Sequence, residues 1–252
     1  MDEAATRHPQ VHTAGRTPYT QDQGGFRIHF NFPGLAVPEH DDHGYGPLAT
    51  VVESFLDPGT HIGMHPHRDE EIISWVPAGV MRHEDQTGTE LVLDAETLMV
   101  MGAGRQFWHA EHTLRSDPPL RMLQIFVRPP RLGLEPQIDH ATLPAVQPDR
   151  WRHLFGPTDG DAPVSVRNAV DCSDCRLTAG TQTTLPGRDG WDTYLYVFEG
   201  AVAVGGMPVG YTESALVTGT DDVAVEALED ATVVAFAIDP DAPVTRQGTI
   251  GR

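Results

Sequence analysis

Two stretches of this chain spell the same turn. Leu56-Asp-Pro-Gly59-Thr60 returns as Leu177-Thr-Ala-Gly180-Thr181, and at that fixed offset Trp75 meets Tyr196, Val76 meets Val197 and Gly79 meets Gly200. Self-similarity at a fixed spacing marks a duplicated unit. The punctuation shows what the unit is. Short apolar runs broken by Pro-Gly, Ala-Gly and Thr-Gly pairs predict strands over Phe26–Phe32, Ala49–Leu56, Glu71–Val76, Val80–Glu84, Glu90–Leu93, Thr97–Met101 and Leu120–Val127. No long amphipathic helix is written among them. Many short strands with tight turns specify an all-β barrel or sandwich, so two barrels in tandem are expected.

Composition shifts set the boundaries. Residues 1–24 are polar and aperiodic and read as a mobile tail or a loosely docked first strand. The first barrel is expected over 25–135. Prolines crowd 136–164, which reads as a linker with a short helical turn near Asp149–Leu154. Strand patterning resumes in a second barrel over 165–240, and 241–252 read as a tail.

The chemistry lies in the first barrel. The run Gly59-Thr-His-Ile-Gly-Met-His65-Pro-His67-Arg-Asp-Glu70-Glu71 is followed by Gly104-Arg-Gln-Phe-Trp-His109-Ala-Glu111. Alternate residues of an extended strand share a face. His65 and His67 therefore aim at one centre, as do His109 and Glu111. Two such strands facing each other close four ligands around one ion and leave positions open for a substrate. Imidazole suits Fe, Ni, Cu or Zn, and an added carboxylate leans toward Fe(II) or Mn(II). The repeat does not keep these residues: His65 falls on Pro186, His67 on Arg188 and Glu71 on Asp192. Aligning Glu96–Met101 with Glu213–Thr218 sets His109 opposite Glu226 and Glu111 opposite Leu228. Only the first barrel is expected to bind metal; the second is expected to be structural, closing the face or mouth of the first.

Other residues take supporting readings. Glu71 shares strand parity with His65 and His67 and reads as a partner orienting an imidazole. His83 reads as a histidine hydrogen-bonded between strands, and His61 and His112 as rim residues. Gly59, Gly79 and Gly104 read as turn positions with positive φ. Trp75, Phe107 and Trp108 read as core, with a pocket for a flat aromatic ligand as the other reading.

Net charge closes off several functions. At −19 with no lysine, the chain offers no cationic surface for nucleic acid or an anionic membrane, and no amine for Schiff-base chemistry. Such a surface suits a high-salt cytoplasm, and GC-rich coding explains the missing lysines equally well. No apolar run is long enough to span a bilayer, and no secretory signal pattern opens the chain, so a cytoplasmic location is expected. Cys172 and Cys175 are too few for a disulfide framework or a zinc ribbon and read as ordinary thiols at a turn before a strand.

The chain resembles the pirins, a family of two-cupin proteins, over about Phe26 to Ile238. The resemblance rests on His65-Pro-His67-Arg, Glu71, Gly79, His83-Glu-Asp85, Ala103-Gly104-Arg105, His109-Ala-Glu111 and Leu123-Gln124-Ile125-Phe126-Val127. The bacterial quercetinase-like branch is the nearest in pattern. The resemblance implies two tandem cupin barrels, each a double-stranded β-helix or jelly-roll. It implies Fe(II) held by His65, His67, His109 and Glu111 in the first barrel, with Mn, Ni, Co, Cu or Zn as other ions for the set, and an empty second barrel. Ala110, Trp108 and Pro77-Ala78 depart from the usual family residues without removing a ligand.

Three functions follow from that resemblance and the ligand set. The first is a quercetin 2,3-dioxygenase-type oxygenation of a flavonol or related phenol chelated to the metal, with Glu111 as general base. The second is a non-enzymatic regulatory module whose Fe(II)/Fe(III) state alters binding of a protein partner. The third, another cupin chemistry such as sugar isomerisation, fits the His-x-Glu motif less well.

Overall fold

The structure is a computed structural model and describes residues 9–219 and 222–252. Residues 1–8 of the expected N-terminal tail lie outside the described residues. In the first half the strands are β1 (Gln10–Ala14), β2 (Thr20–Asp22), β3 (Phe26–Asn31), β4 (Leu48–Leu56), β5 (His61–His67), β6 (Glu71–Trp75), β7 (Met81–Asp85), β8 (Glu90–Leu93), β9 (Thr97–Gly102), β10 (Phe107–His112), β11 (Leu120–Val127) and β12 (Gln137–Thr142). The second half holds β13 (Arg152–Pro157), β14 (Val164–Val166), β15 (Val170–Leu177), β16 (Gln182–Thr184), β17 (Asp192–Glu199), β18 (Val202–Val204), β19 (Met207–Val209), β20 (Ser214–Thr218), β21 (Ala224–Ala227) and β22 (Ala231–Ile238). Among the described residues the sole helical element is a 3-10 turn at Pro33–Ala36, and no helix is long and apolar enough to cross a membrane.

The strands form two jelly-rolls. In the first, the sheet β12-β9-β6-β11-β4-β3-β2 is paired with the sheet β5-β10-β7-β8. In the second, β1-β20-β17-β22-β15-β13-β14 is paired with β16-β21-β18-β19. The antiparallel pairs β4–β11, β6–β11, β6–β9, β5–β10 and β7–β10 recur as β15–β22, β17–β22, β17–β20, β16–β21 and β18–β21. The duplication read from the turns is thus a duplication of topology. Its turn glycines match too: Gly59 and Gly180 sit at φ 79° and 82°, and Gly79 and Gly200 at 89° and 74°.

Several expectations change. The helical turn near Asp149–Leu154 is absent, because Arg152 begins strand β13 and pairs with β15. The stretch taken as linker also contributes β12 and β14, each hydrogen-bonded into a large sheet. At the other end of the chain, β1 joins the second barrel's sheet along β20 rather than the first barrel. Glu226 and Leu228 are exposed while Val225 and Ala227 are buried. By strand pairing, Val225 opposite Val204 matches Glu111 opposite His83, so the buried counterparts of His109 and Glu111 are Val223 and Val225, three positions from the aligned pair.

The two large sheets pack on each other. Ile73, Trp75 and Leu123 of the first barrel share one buried cluster with Tyr194, Tyr196 and Phe236 of the second. Trp75 meets Phe198 edge-on, with ring centroids 5.1 Å apart. Its indole Nε1 donates to Asp174 Oδ2 at 3.1 Å, and the buried Arg152 donates to the same carboxylate through Nε (2.9 Å) and Nη2 (2.7 Å). Cys172 faces this shared core, whereas Cys175, three positions along the same strand, faces the second barrel's own interior. Opposite faces of a strand preclude pairing of the two thiols. Burial raises both thiol pKa values, that of Cys175 to about 12.

Asp174→Ala strands a buried guanidinium and an indole N–H, so urea denaturation should show a loss of about 3–5 kcal/mol. A thiol reagent such as DTNB should count no reactive cysteine in the native protein at pH 8 and two after denaturation.

Candidate metal centre

Strands β5 and β10 lie antiparallel, with His109 opposite His65 and Phe107 opposite His67. One ligand atom from each of His65, His67 and His109 lies within 4.8 Å of the others. A bulge then shifts the register, so Glu111 pairs with Ile62. Bulges of this kind re-aim side chains beside functional sites.

The imidazoles are set up to donate lone pairs. His65 Nδ1 donates to Gly63 O at 2.9 Å, and His67 Nδ1 to Glu70 Oε1 at 2.6 Å, which leaves both Nε2 atoms free. His109 is 1% exposed, and neither of its ring nitrogens has a hydrogen-bond partner among the described residues. Burial lowers the pKa values of His65 and His109, that of His109 to about 2, with His65, His67 and His83 adding to the effect on His109. Three converging rings, one of them with both nitrogens unpartnered in the interior, fit a bound cation with nitrogen affinity.

Glu111 stands apart from this trio. Its Oε1 is 3.9 Å from His109 Nδ1, and Gln124 Nε2 donates to both its oxygens, at 2.9 and 3.1 Å. Ser54 Oγ in turn donates to Gln124 Oε1 at 3.1 Å, fixing which way the amide faces. Burial pushes the Glu111 carboxyl up to about 7, against the smaller opposing effects of His67 and Gln124. His83, buried opposite Glu111 on β7, bonds Asp85 of its own strand at 3.3 Å rather than a neighbouring strand, and its Nδ1 has no hydrogen-bond partner among the described residues. His61 and His112 lie at the rim, 6.2 Å apart between ring centroids.

The carboxylate that orients an imidazole is Glu70, not Glu71. Asp69 adopts φ 48° between β5 and β6, and this turn breaks the strand parity that pointed to Glu71. Glu71 instead faces the second barrel, accepting from Arg167 N (2.7 Å) and Nε (2.9 Å). Burial raises the Glu71 pKa, and Arg167 opposes the shift. Backbone bonds from Asp69 N to Gly104 O (2.6 Å) and from Ala103 N to Glu70 O (2.9 Å) clamp this turn to the one preceding β10. Gly104 carries φ 50°, and a Cβ there would lie 2.3 Å from Leu134 O. The sequence signal for Glu70 was its position in the His-x-His run; Gln124 was visible only as part of a motif without a role.

A cavity of about 810 Å³ opens on the centre, within the range of small-molecule sites. His65, His67 and Glu111 line it together with Phe26, Phe30 and Phe126. Trp75 and Phe107 are core residues, and Trp108 is 38% exposed; none of the three lines the cavity. Thr249 and Ile250 supply one wall, so the expected C-terminal tail is docked on the first barrel.

Comparison with known proteins agrees with this architecture. The family model described as Pirin matches residues 24–127, and that described as Quercetinase C-terminal cupin domain matches residues 154–238. A pirin-like protein of Caulobacter vibrioides is 28% identical over 84% of this chain and 92% of its own length. A quercetin 2,3-dioxygenase of Escherichia coli is 23% identical over 78% of this chain and 84% of its own. The crystal structure of a bacterial pirin, YhhW of Escherichia coli, in complex with nickel(II) superposes with a TM-score of 0.77 at 20% identity. It covers 91% of this chain and 99% of that one.

Metal-stripped protein titrated with Ni(II) should take up one ion per chain. His109→Ala should weaken uptake by more than about 100-fold, beyond the ~10–100-fold typical of losing a partner behind a ligand.

Proposed function

We propose, from the premise that the chain belongs to the pirin family of two-cupin proteins, that its first barrel is a mononuclear metal-dependent dioxygenase site for a flavonol or related phenol. The observation that carries this reading is the three-histidine cluster, of which His65 and His67 line a cavity together with phenylalanine rings. In this reading His65, His67 and His109 hold the ion through nitrogen, and Glu111 is either a fourth ligand or the base beside it. Fe(II) is the proposed ion, with Mn, Ni, Co, Cu or Zn as substitutes for the same donors. When bound, the metal supplies a Lewis acid for a chelating phenol and a centre at which O2 reacts.

The chain's residues do the rest. Phe26, Phe30 and Phe126 offer apolar faces that stack a flat aromatic ring and keep water away from it. Glu111 is the one carboxylate among the lining residues and is the group placed to take a phenolic proton onto its oxygen. Gln124 holds both Glu111 oxygens toward the cavity, and the Ser54 bond keeps the Gln124 amide from flipping. The relatives named quercetin 2,3-dioxygenase support the reaction type and a small phenolic substrate.

Anaerobic Fe(II) loading followed by O2 uptake with quercetin tests the proposal. Uptake should require the metal and fall at least about 100-fold in His65→Ala. One ion bound per chain with no uptake would overturn the dioxygenase reading and favour a redox-sensing module that binds a protein partner.

A further inference from the structure

We propose that Glu70 and the segment Gly248–Gly251 form a latch on the metal centre. In it Glu70 is a positioning residue for His67, and Ile250 limits the size of ligand the cavity admits. The inference rests on the reading of His67 as a metal ligand, but not on the reaction assigned to the site.

Glu70 is fully buried and has no arginine partner among the described residues. Its Oε1 accepts His67 Nδ1–H at 2.6 Å. Its Oε2 accepts the backbone N–H groups of Ile250 (2.8 Å) and Gly251 (2.7 Å), which lie 180 and 181 residues away in sequence. Charge-assisted bonds of this kind are short and strong, and a buried carboxylate stripped of them carries the full cost of desolvation. The segment's docking and the orientation of the His67 ring therefore share one carboxylate. Thr249 Oγ1 adds a bond from Arg68 N at 3.0 Å, and Arg128 Nη2 donates to Arg252 O at 2.8 Å.

The fit is close. A Cβ on Gly248 would lie 2.7 Å from Glu70 Oε2, and one on Gly251 would lie 3.3 Å from both that atom and Ala49 Cβ. Glycine at 248 and at 251 is what lets the Ile250 and Gly251 amides come this near a carboxylate already held by His67. The Ile250 side chain packs on the first-barrel core and lines the cavity, so the latch also forms part of the wall a substrate meets.

Coupling of this kind is reciprocal: whatever holds His67 in place also holds the segment, and the converse. In full-length Gly248→Val, which adds no charge and touches no ligand, Ni(II) affinity should fall by about 10–100-fold. Glu70→Gln should do the same, because its amide end would confront N–H donors. Ile250→Ala keeps the backbone amides and loses only packing, so it should lower Ni(II) affinity less than Gly248→Val does while altering quercetin affinity in the Ni(II)-loaded protein. Hydrogen exchange at the Ile250 and Gly251 amides should slow on Ni(II) binding and quicken in metal-free His67→Ala. A folded Gly248→Val with wild-type Ni(II) affinity, or exchange at these amides indifferent to His67, would overturn the latch. A wild type that bound no metal would sink the metal reading separately, and exchange in metal-free His67→Ala would still decide the latch.

Discussion

The two seven-stranded sheets cover each other, and the rest of the molecule depends on that cover. Strands β4, β6 and β11 are buried at nearly every position, so both faces of the first barrel's large sheet are apolar. Such a sheet is stable only with something packed on each side. One side is the barrel interior; the other is Tyr194, Tyr196, Phe236 and their neighbours on the second barrel. Carboxylates buried at the seam are matched by arginines and by groups from across it. Glu71 meets Arg167, and Glu53, fully buried on β4, accepts from Tyr196 Oη at 3.2 Å and from Arg121. Strand β11, held this way, presents Gln124 to Glu111.

The same packing shows why, among the described residues, the histidine cluster lies in one barrel and not in its copy. The second barrel's interior is filled by Leu177, Val197, Val204, Val217, Val225 and Val233, all buried in one cluster. A filled interior has neither unpaired nitrogens nor room for an ion. The first barrel is packed at one end by Met81, Leu93, Met99 and Phe107, and at the other it opens into the cavity beside the histidines. One duplicated topology thus yields a binding unit and a buttress, according to whether β10 or its counterpart β21 turns histidine or valine inward.

Much of this was legible in sequence where the signal is local. Strands Glu90–Leu93 and Leu120–Val127 carry the bounds that their apolar runs predict, and the histidines of β5 and β10 converge as two-residue periodicity requires. What was not legible depends on backbone geometry or long-range contact. The choice of Glu70 over Glu71 turns on the positive φ of Asp69, a residue type that does not announce it. The offset between β10 and β21 was lost because the gap-free alignment slips by three residues, and an odd slip inverts a strand's faces. Residues 248–251 look like a tail because their partner, Glu70, is far away in sequence.

That distance bears on how the centre is assembled. Its parts come from β5, β10, the Asp69–Glu70 turn and the segment after β22, so the last bonds to Glu70 form only when the whole chain has folded back. Non-local closure of this kind is slow and costs chain entropy, and buried contacts offset that cost only once the intervening structure is in place. The intervening structure is the second barrel, which carries the chain from the seam at Arg167 back to Arg128 and Glu70. The second barrel therefore serves the centre twice, as the cover over the sheet behind it and as the route by which its final wall arrives.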